Sequence, residues 1–199
     1  MNNRSREHVD RLCSALESSM DQLEVALRWG SHLARILPRG NRILVAGNGG
    51  SAAQAQHLTA ELVGRYQQDR LPFSALALHA ETSSLTAIVN DYGPNEMFAR
   101  QVEAHARPGD ICLLMSTSGC SPNLLTAARR ARAFDIEVWA MTGPTPNALA
   151  SMSNEVLAVD SDNCAAIQEA HLVALHMLCE QLDADLMHGG AVLEKAVGR

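Results

Sequence analysis

The fold of this chain is decided by the stretch Ile43-Leu44-Val45-Ala46-Gly47-Asn48-Gly49-Gly50-Ser51. Its four leading apolar residues are typical of a short strand that is buried on both faces. The small residues after them predict a tight turn, and a helical pattern then runs from Ser51 to about Val63. A buried strand, a glycine-rich turn and a helix in this order predict one unit of a parallel α/β sheet.

Similar units follow this stretch along the chain. The pattern predicts further strands at 74–78, 111–115, 136–141 and 156–159, and helices at 81–89, 95–106, 121–133 and 165–186. Apolar residues at helical spacing between Leu12 and Leu37 predict one or two helices before the sheet. We therefore expect an α/β fold, a three-layer α-β-α sandwich with a five-stranded parallel sheet. We expect one domain over 1–199, with a helical segment at 1–38 that packs between subunits and a core at 41–188.

Composition argues against several classes of protein. The 199 residues carry a formal net charge of −6 and only 4% aromatic residues, which disfavours nucleic-acid binding. No apolar run approaches the ~20 residues that cross a membrane, and residues 1–10 lack the apolar centre of a signal peptide. The five cysteines match neither a zinc ribbon nor a C-x-x-C redox pair. We expect a soluble, cytoplasmic protein with reduced thiols and with no nucleic-acid or membrane partner.

Two of the predicted strands end in small-residue loops that open helices. We call Gly47–Ser51 the Gly loop and Ser116-Thr117-Ser118-Gly119-Cys120-Ser121 the Ser/Thr loop. Glycines let the backbone approach a ligand, and a helix N-terminus with neighbouring hydroxyls suits phosphate oxygens. Ordinary turn and capping chemistry is the alternative for either loop alone, since the G-x-G-x-x-G spacing and the P-loop lysine are missing. Neither loop contains Lys or Arg, which a polyphosphate such as that of ATP would need. The two loops together therefore favour a small phosphosugar as the ligand.

Four motifs follow one another over nearly the whole chain. They are Gly47-Asn48-Gly49-Gly50-Ser51-Ala52-Ala53-Gln54-Ala55-Gln56-His57, Asn90-Asp91-Tyr92-Gly93, Ser116-Thr117-Ser118-Gly119, and Ile167-Gln168-Glu169-Ala170-His171 with His176 after it. In order and spacing they resemble the phosphoheptose isomerases of the sugar-isomerase (SIS) domain superfamily. The resemblance implies an aldose–ketose isomerase that converts D-sedoheptulose 7-phosphate to D-glycero-D-manno-heptose 7-phosphate. It also implies a single SIS domain and a homotetramer with active sites between subunits.

The resemblance implies roles for individual residues. Glu61 and His176 would share the acid–base work, and the ligands of a zinc ion would be His57, Glu61, Gln168 and His176. Substrate contacts would come from Asn48, Gly49, Gly50, Ser51, Glu61, Asn90, Asp91, Ser116, Thr117, Ser118, Ser121 and Gln168. The chain departs from frequent family residues at Cys120, Ala165 and Ala166, the last of these replacing an Arg or Lys beside the site.

The spacing of the implied ligands can be read without the resemblance. His57 and Glu61 are four residues apart and share a helix face, which suits either a zinc site or a plain exposed pair. Gln168 and His176 lie about 12 Å apart along one helix and about 80° apart around it. That is a long span for one ion, so the helix would start or bend near Gln168, or the two residues would serve different subunits. We expect His171 to have a packing or supporting role.

Three alternatives remain at this stage. A non-catalytic SIS protein that binds phosphosugars or the bacterial replication initiator would share the fold, but such relatives typically lack counterparts of Glu61 and His176. An isomerase for a hexulose or pentose phosphate would carry the same loops. A sugar-phosphate-sensing regulator would usually need an added DNA-binding domain, for which 199 residues leave no room.

Overall fold

The computed structural model describes residues 3–188, so the outermost parts of the expected 1–199 domain lie outside the described residues. The strands are β1 Ile43–Gly47, β2 Ala75–Ala77, β3 Ile111–Ser116, β4 Glu137–Thr142 and β5 Glu155–Ala158. The helices are α1 Asn3–Ser18, α2 Met20–Ile36, α3 Gly50–Val63, α4 Thr82–Tyr92, α5 Ala99–His105, α6 Pro122–Ala133 and α7 Cys164–His188. Short 3₁₀ turns occupy Leu37–Arg39, Pro94–Glu96 and Ala150–Met152.

All five strands run parallel in one sheet, in the order β2-β1-β3-β4-β5. Val45 of β1 is paired with Ala77 on one side and with Leu113 of β3 on the other. From β1 the chain therefore adds β2 on one side of the sheet and then β3, β4 and β5 on the other side. The carboxyl ends of β1 and β3 form the switch point at which open α/β sheets bind ligands. The predicted α/β class and five-stranded parallel sheet are confirmed.

The sheet is buried on both faces, as the uninterrupted apolar strands predict. Successive side chains of a strand point to opposite faces, and Leu44 and Val45 are both fully buried. Val45 belongs to a core formed with α2, α3 and α7, whereas Leu44 belongs to a second core with α5 and α6. Helices on both sides complete the three layers.

Helix α2 is part of the first core, although the sequence marked it only as a helix before the sheet. Its Trp29 stacks on Trp139 with ring centroids 4.7 Å apart, and the Trp29 indole N–H donates to Glu155 at 3.0 Å. Gly30 lets α2 lie against α7 so closely that a Cβ there would stand 2.5 Å from the Leu178 carbonyl oxygen. By contrast, α1 buries only Ala15.

The single helix expected at 95–106 is divided in the structure. Gly93 has a positive φ of 84° and turns the chain after α4. Pro94 then opens a 3₁₀ turn, and α5 begins only at Ala99. Within residues 3–188, no helix combines the length and the apolar character needed to cross a bilayer.

Candidate functional site

The Gly loop and the Ser/Thr loop meet at the switch point, because they follow the neighbouring strands β1 and β3. Asn48 of the first loop and Asn123, in the first turn of α6, exchange two amide hydrogen bonds of 3.1 and 2.8 Å. This reciprocal pair ties the two loops together. Sequence reasoning missed Asn123, whose one signal was its place two residues after Ser121.

The Ser/Thr loop gathers the hydroxyl groups of its three serines into one cluster. The Ser116 hydroxyl lies 3.1 Å from that of Ser121 and 3.4 Å from that of Ser118, and it accepts the Gly119 N–H at 3.1 Å. Ser121 occupies the N-cap position of α6, but its side chain makes no capping hydrogen bond there. The cluster thus stands at a helix N-terminus with donors that a phosphate could take over.

Gln168, a residue of α7, lies against the N-terminal end of α3, beside the Gly loop. A Cβ on Gly50 would stand 2.5 Å from the Gln168 side-chain oxygen, so only glycine leaves room for this amide. The Gln54 amide donates to the Gln168 carbonyl and joins the first turns of α3 and α7. The structure therefore brings Gln168 to the loops.

His57, Glu61 and His176 come together farther along the same two helices. His57 Nε2 is 3.1 Å from His176 Nε2 and 3.4 Å from the Glu61 carboxylate. The side chains of His57 and Glu61 are 42% and 22% exposed, so a ligand can reach them. Tyr66, which sequence reasoning also missed, stacks on His176 with ring centroids 5.8 Å apart.

One continuous helix separates Gln168 from His176. Helix α7 begins at Cys164, four residues before Gln168, so the helix start does not bring the two residues together. Eight residues along an α-helix span about 12 Å. Within one chain, Gln168 therefore stands beside Gly50 and His176 stands beside His57.

The donors fit zinc by chemical type. Imidazole nitrogens and carboxylates are zinc ligands, and the 3.1 and 3.4 Å separations at His57 are near the ~3.3 Å between neighbouring ligands of a tetrahedral ion with bonds of about 2.0–2.1 Å. Across residues 3–188, however, no group of three or more His, Cys, Asp and Glu side chains is arranged to hold a metal ion as the single chain stands. The chemical types of the donors therefore suit zinc, but His57, Glu61, Gln168 and His176 of a single chain do not surround one metal position.

Asn90 and Asp91 lie in the last turn of α4. The Asn90 amide donates to the Asp91 carboxylate at 2.7 Å, and Asp91 lines a cavity of about 430 Å³ between α4 and α5 with Tyr92 and Arg100. In the described part of the chain, no hydrogen bond joins either residue to the two loops. None of the residues of α4 is buried.

The family is evident from comparison with known proteins. A SIS-domain family model matches residues 6–143. A phosphoheptose isomerase of Streptomyces coelicolor is 59% identical over 182 residues, which cover 92% of this chain and 79% of that protein. The chain belongs to the phosphoheptose isomerase family of SIS-domain proteins.

Solved structures of family members have the same architecture. A phosphoheptose isomerase from Francisella tularensis is 34% identical and superposes with a TM-score of 0.83 over 92% of this chain and 100% of that one. The enzyme from Neisseria gonorrhoeae is 35% identical, also with a TM-score of 0.83, over 91% and 97% of the two chains.

The three departures from frequent family residues fall around the Ser/Thr loop and the start of α7. Cys120 is exposed in the loop, and its N–H donates to the Ser118 hydroxyl at 3.3 Å. Ala165 is exposed, whereas Ala166 is fully buried in the first core. The neighbouring Cys164 thiol lies 3.4 Å from the Thr117 hydroxyl, a contact that the sequence did not indicate.

Proposed function

We propose that this chain is an aldose–ketose isomerase that converts D-sedoheptulose 7-phosphate to D-glycero-D-manno-heptose 7-phosphate. The observation that carries the proposal is the contact of His57 with both Glu61 and His176. His57 and Glu61 are on α3, which opens at the Gly loop, and His176 is on α7, whose Gln168 lies against Gly50 of that loop. Gly50 and His57 are seven residues apart on α3, or about 10 Å. That span is comparable with the length of an extended seven-carbon sugar phosphate.

The loops would hold the phosphate. The hydroxyls of Ser116, Ser118 and Ser121 offer neutral donors, and the N-termini of α3 and α6 offer two positive helix ends. Anchoring the phosphate there would place the carbonyl end of the sugar near His57 and would accelerate the reaction through proximity.

Glu61 and His176 would move the protons. The Glu61 carboxylate would take the proton from C1 of the ketose while His176 gives a proton to O2, which leaves a neutral enediol. His176 would then take the proton from O1 as Glu61 returns its proton to C2, which forms the aldose and restores both groups. Since His57 contacts both partners, it would orient them.

Zinc is part of the proposal as a cofactor. Its expected ligands are His57, Glu61, Gln168 and His176. Because no three of the described His, Cys, Asp and Glu side chains are arranged around a metal position, His57, Glu61 and His176 would have to reorient to bind one ion. A bound zinc ion would polarise the sugar carbonyl and its neighbouring hydroxyl. Since a group held by zinc is a weaker base, the proton transfers by Glu61 and His176 would require an ion that binds them only loosely. Gln168 stands two turns of α7 away from His176. For all four ligands to bind one zinc ion, either these side chains must rearrange within one chain or a second chain must supply one of the ligands.

A homotetramer with sites between subunits is supported by the exposed helices. No residue of α4 is buried, although this helix carries Asn90 and Asp91. Helix α1 buries only Ala15. A cytoplasmic location is proposed as well, because all five cysteines are unpaired, as expected in a reducing compartment.

A turnover assay with sedoheptulose 7-phosphate tests the function. Purified wild type, Glu61→Gln and His176→Gln would be compared with and without added zinc, and formation of the aldoheptose phosphate would be measured. We expect kcat to fall at least about 100-fold in each variant, as for loss of a general acid or base. Glu180→Gln and His188→Gln, exposed on the same α7 helix, are matched controls and should retain wild-type kcat.

Binding without conversion would reject the isomerase. If the wild type binds the phosphosugar in calorimetry yet forms no product with or without zinc, the non-catalytic SIS-protein alternative takes its place. Wild-type kcat in both Glu61→Gln and His176→Gln would reject the assigned acid–base pair while leaving the reaction itself intact.

A further inference from the structure

We propose that Arg70 is a positioning residue that, together with Asp183, holds Glu61 in place beside His57 and His176. The inference rests on the proposed isomerase function, because Glu61 is its expected base. Arg70 lies in the segment between α3 and β2, outside every motif that predicted the site. Its guanidinium nevertheless reaches the helix end from which Glu61 projects.

Arg70 binds the last turn of α3 directly. Its guanidinium donates to the Glu61 carbonyl at 2.7 Å and to the Leu62 carbonyl at 3.1 Å. Carbonyls at a helix C-terminus have no partners within the helix, and a positive charge there is favourable. A third bond of 3.0 Å, to the Leu71 carbonyl, and the Phe73 ring 4.9 Å away fix the guanidinium itself.

The same guanidinium fastens α3 to α7. Arg70 Nε donates to the Asp183 carboxylate at 2.9 Å, and the two side chains are only 9% and 7% exposed. The other carboxylate oxygen of Asp183 is buried and has no hydrogen-bond partner among residues 3–188. Asp183 follows His176 by seven residues, about two turns, so both lie on one face of α7.

The ion pair of Arg70 with Asp183, which we call the bridge, supports only the end of the site that carries Glu61 and His176. Arg70 holds the backbone carbonyl of Glu61, whose side chain contacts His57 at 3.4 Å. The Gly loop lies at the opposite end of α3, eleven residues or about 16 Å away. Loosening the last turn should therefore misplace the base without disturbing the phosphate loops. Misplacement of about 1 Å can cost up to about 100-fold in rate.

Steady-state kinetics of Arg70→Met, Arg70→Lys and Asp183→Asn test this inference. Arg42→Met is the matched control, because Arg42 pairs with the buried Asp110 at 3.5 Å near the amino ends of β1 and β3, far from the site. Each protein would be assayed well below its unfolding temperature, and rates would be expressed per folded chain. In Arg70→Lys and Asp183→Asn a polar side chain still occupies each side of the bridge. The kinetics of these two variants test the inference if Arg70→Met does not fold.

We expect kcat to fall at least about tenfold in Arg70→Met with KM within about twofold of wild type. Arg70→Lys should recover part of the loss, since an ammonium keeps the charge but cannot bind both carbonyls and Asp183 in one plane. Asp183→Asn should show a smaller loss of the same kind, and Arg42→Met should keep its kcat. An unchanged kcat in all three bridge variants, or an equal loss in Arg42→Met, would overturn the inference.

Hydrogen exchange separates this inference from the proposed function. Amide exchange in the last turn of α3 should be at least about tenfold faster in Arg70→Lys and Asp183→Asn than in wild type or Arg42→Met. Unchanged protection there would overturn the positioning role whatever the turnover. If the wild type shows no turnover but exchange is faster in the bridge variants, the isomerase function is rejected. The conclusion that Arg70 and Asp183 stabilise the last turn of α3 still holds.

Discussion

His171 illustrates how a histidine beside the site belongs to the core. It lies three residues after Gln168, is fully buried, and donates from Nε2 to the Thr142 carbonyl at 3.0 Å. Burial lowers its pKa to about 4, with the Thr142 hydrogen bond acting in the opposite direction. Its Nδ1 has no hydrogen-bond partner within residues 3–188. The neutral ring thus joins α7 to the end of β4.

Replacing His171 should remove part of the acid sensitivity of the fold. Because its native pKa of about 4 lies below the ordinary value of 6.5, the unfolded chain binds more protons between these two pH values. The free energy of unfolding should therefore decrease as pH falls from 6.5 to 4, by about 3 kcal/mol from this residue. Urea unfolding at pH 7, 5.5 and 4.5 would compare wild type with His171→Gln.

The difference between the two proteins isolates His171, because both carry the same carboxylates. A smaller loss of unfolding free energy in His171→Gln over this pH range is expected. Parallel pH dependences would mean that His171 titrates normally in the native state.

The cysteines divide into two groups by burial. Burial raises the pKa values of the Cys112 and Cys179 thiols to about 12, whereas Cys13, Cys120 and Cys164 are exposed. Since the thiolate is the reactive form, Cys112 and Cys179 should resist a thiol reagent until the protein unfolds. Mass spectrometry of native and urea-unfolded protein after labelling would check this, and native labelling of Cys112 or Cys179 would contradict it.

At the scale of elements, α3 and α7 set the length of the site. Gly50 faces Gln168 at one end, His57 faces His176 in the middle, and Arg70 clamps the other end of α3 to α7. The two helices therefore run side by side in the same direction. Their register decides which residues can act on one ligand.

Two glycines of the Gly loop should respond differently to alanine. In Gly50→Ala the new Cβ would meet only the movable end of the Gln168 side chain, so the stability change should stay below about 1 kcal/mol. Displacing Gln168 should lower kcat/KM about tenfold. In Gly47→Ala the Cβ would lie 2.6 Å from the Ser51 backbone, which cannot move freely, and about 1–3 kcal/mol should be lost.

Thermal unfolding and turnover of the two variants would be measured together. Gly50→Ala with wild-type kcat/KM would mean that the position of Gln168 does not matter for the reaction. A Gly50→Ala variant less stable than Gly47→Ala would show that the Gln168 side chain cannot yield.

At the scale of the whole molecule, the exposed helices predict an assembly. Helix α4 leaves Leu85, Ile88 and Val89 incompletely buried, and its last residue, Tyr92, is 55% exposed. Light scattering should give a mass near four copies of the 21.4 kDa chain, or roughly 86 kDa. Ile88→Glu should lower that mass if α4 lies between subunits. A single-chain mass for the wild type would contradict the tetramer.

The five strands and most helices could be predicted from the sequence, because their signals are local. Buried strands such as Ile43–Gly47 and Ile111–Ser116 appear as short apolar runs, and small residues mark the loops after them. Once the strands are known to be parallel, their carboxyl ends must share one edge. The meeting of the Gly loop and the Ser/Thr loop was thus within reach of sequence reasoning.

Tertiary packing alone decided which distant side chains meet. The Asn48–Asn123 pair, the contact of His57 with His176 and the bridge from Arg70 to Asp183 each join residues more than 70 positions apart. No local pattern encodes such pairs, since they depend on the register of α3 against α7 and on the turn of the chain after α3. The sequence by itself determined the sheet and the edge at which the Gly loop and the Ser/Thr loop meet. Helix packing determined the geometry of the cluster of His57, Glu61 and His176 and its support.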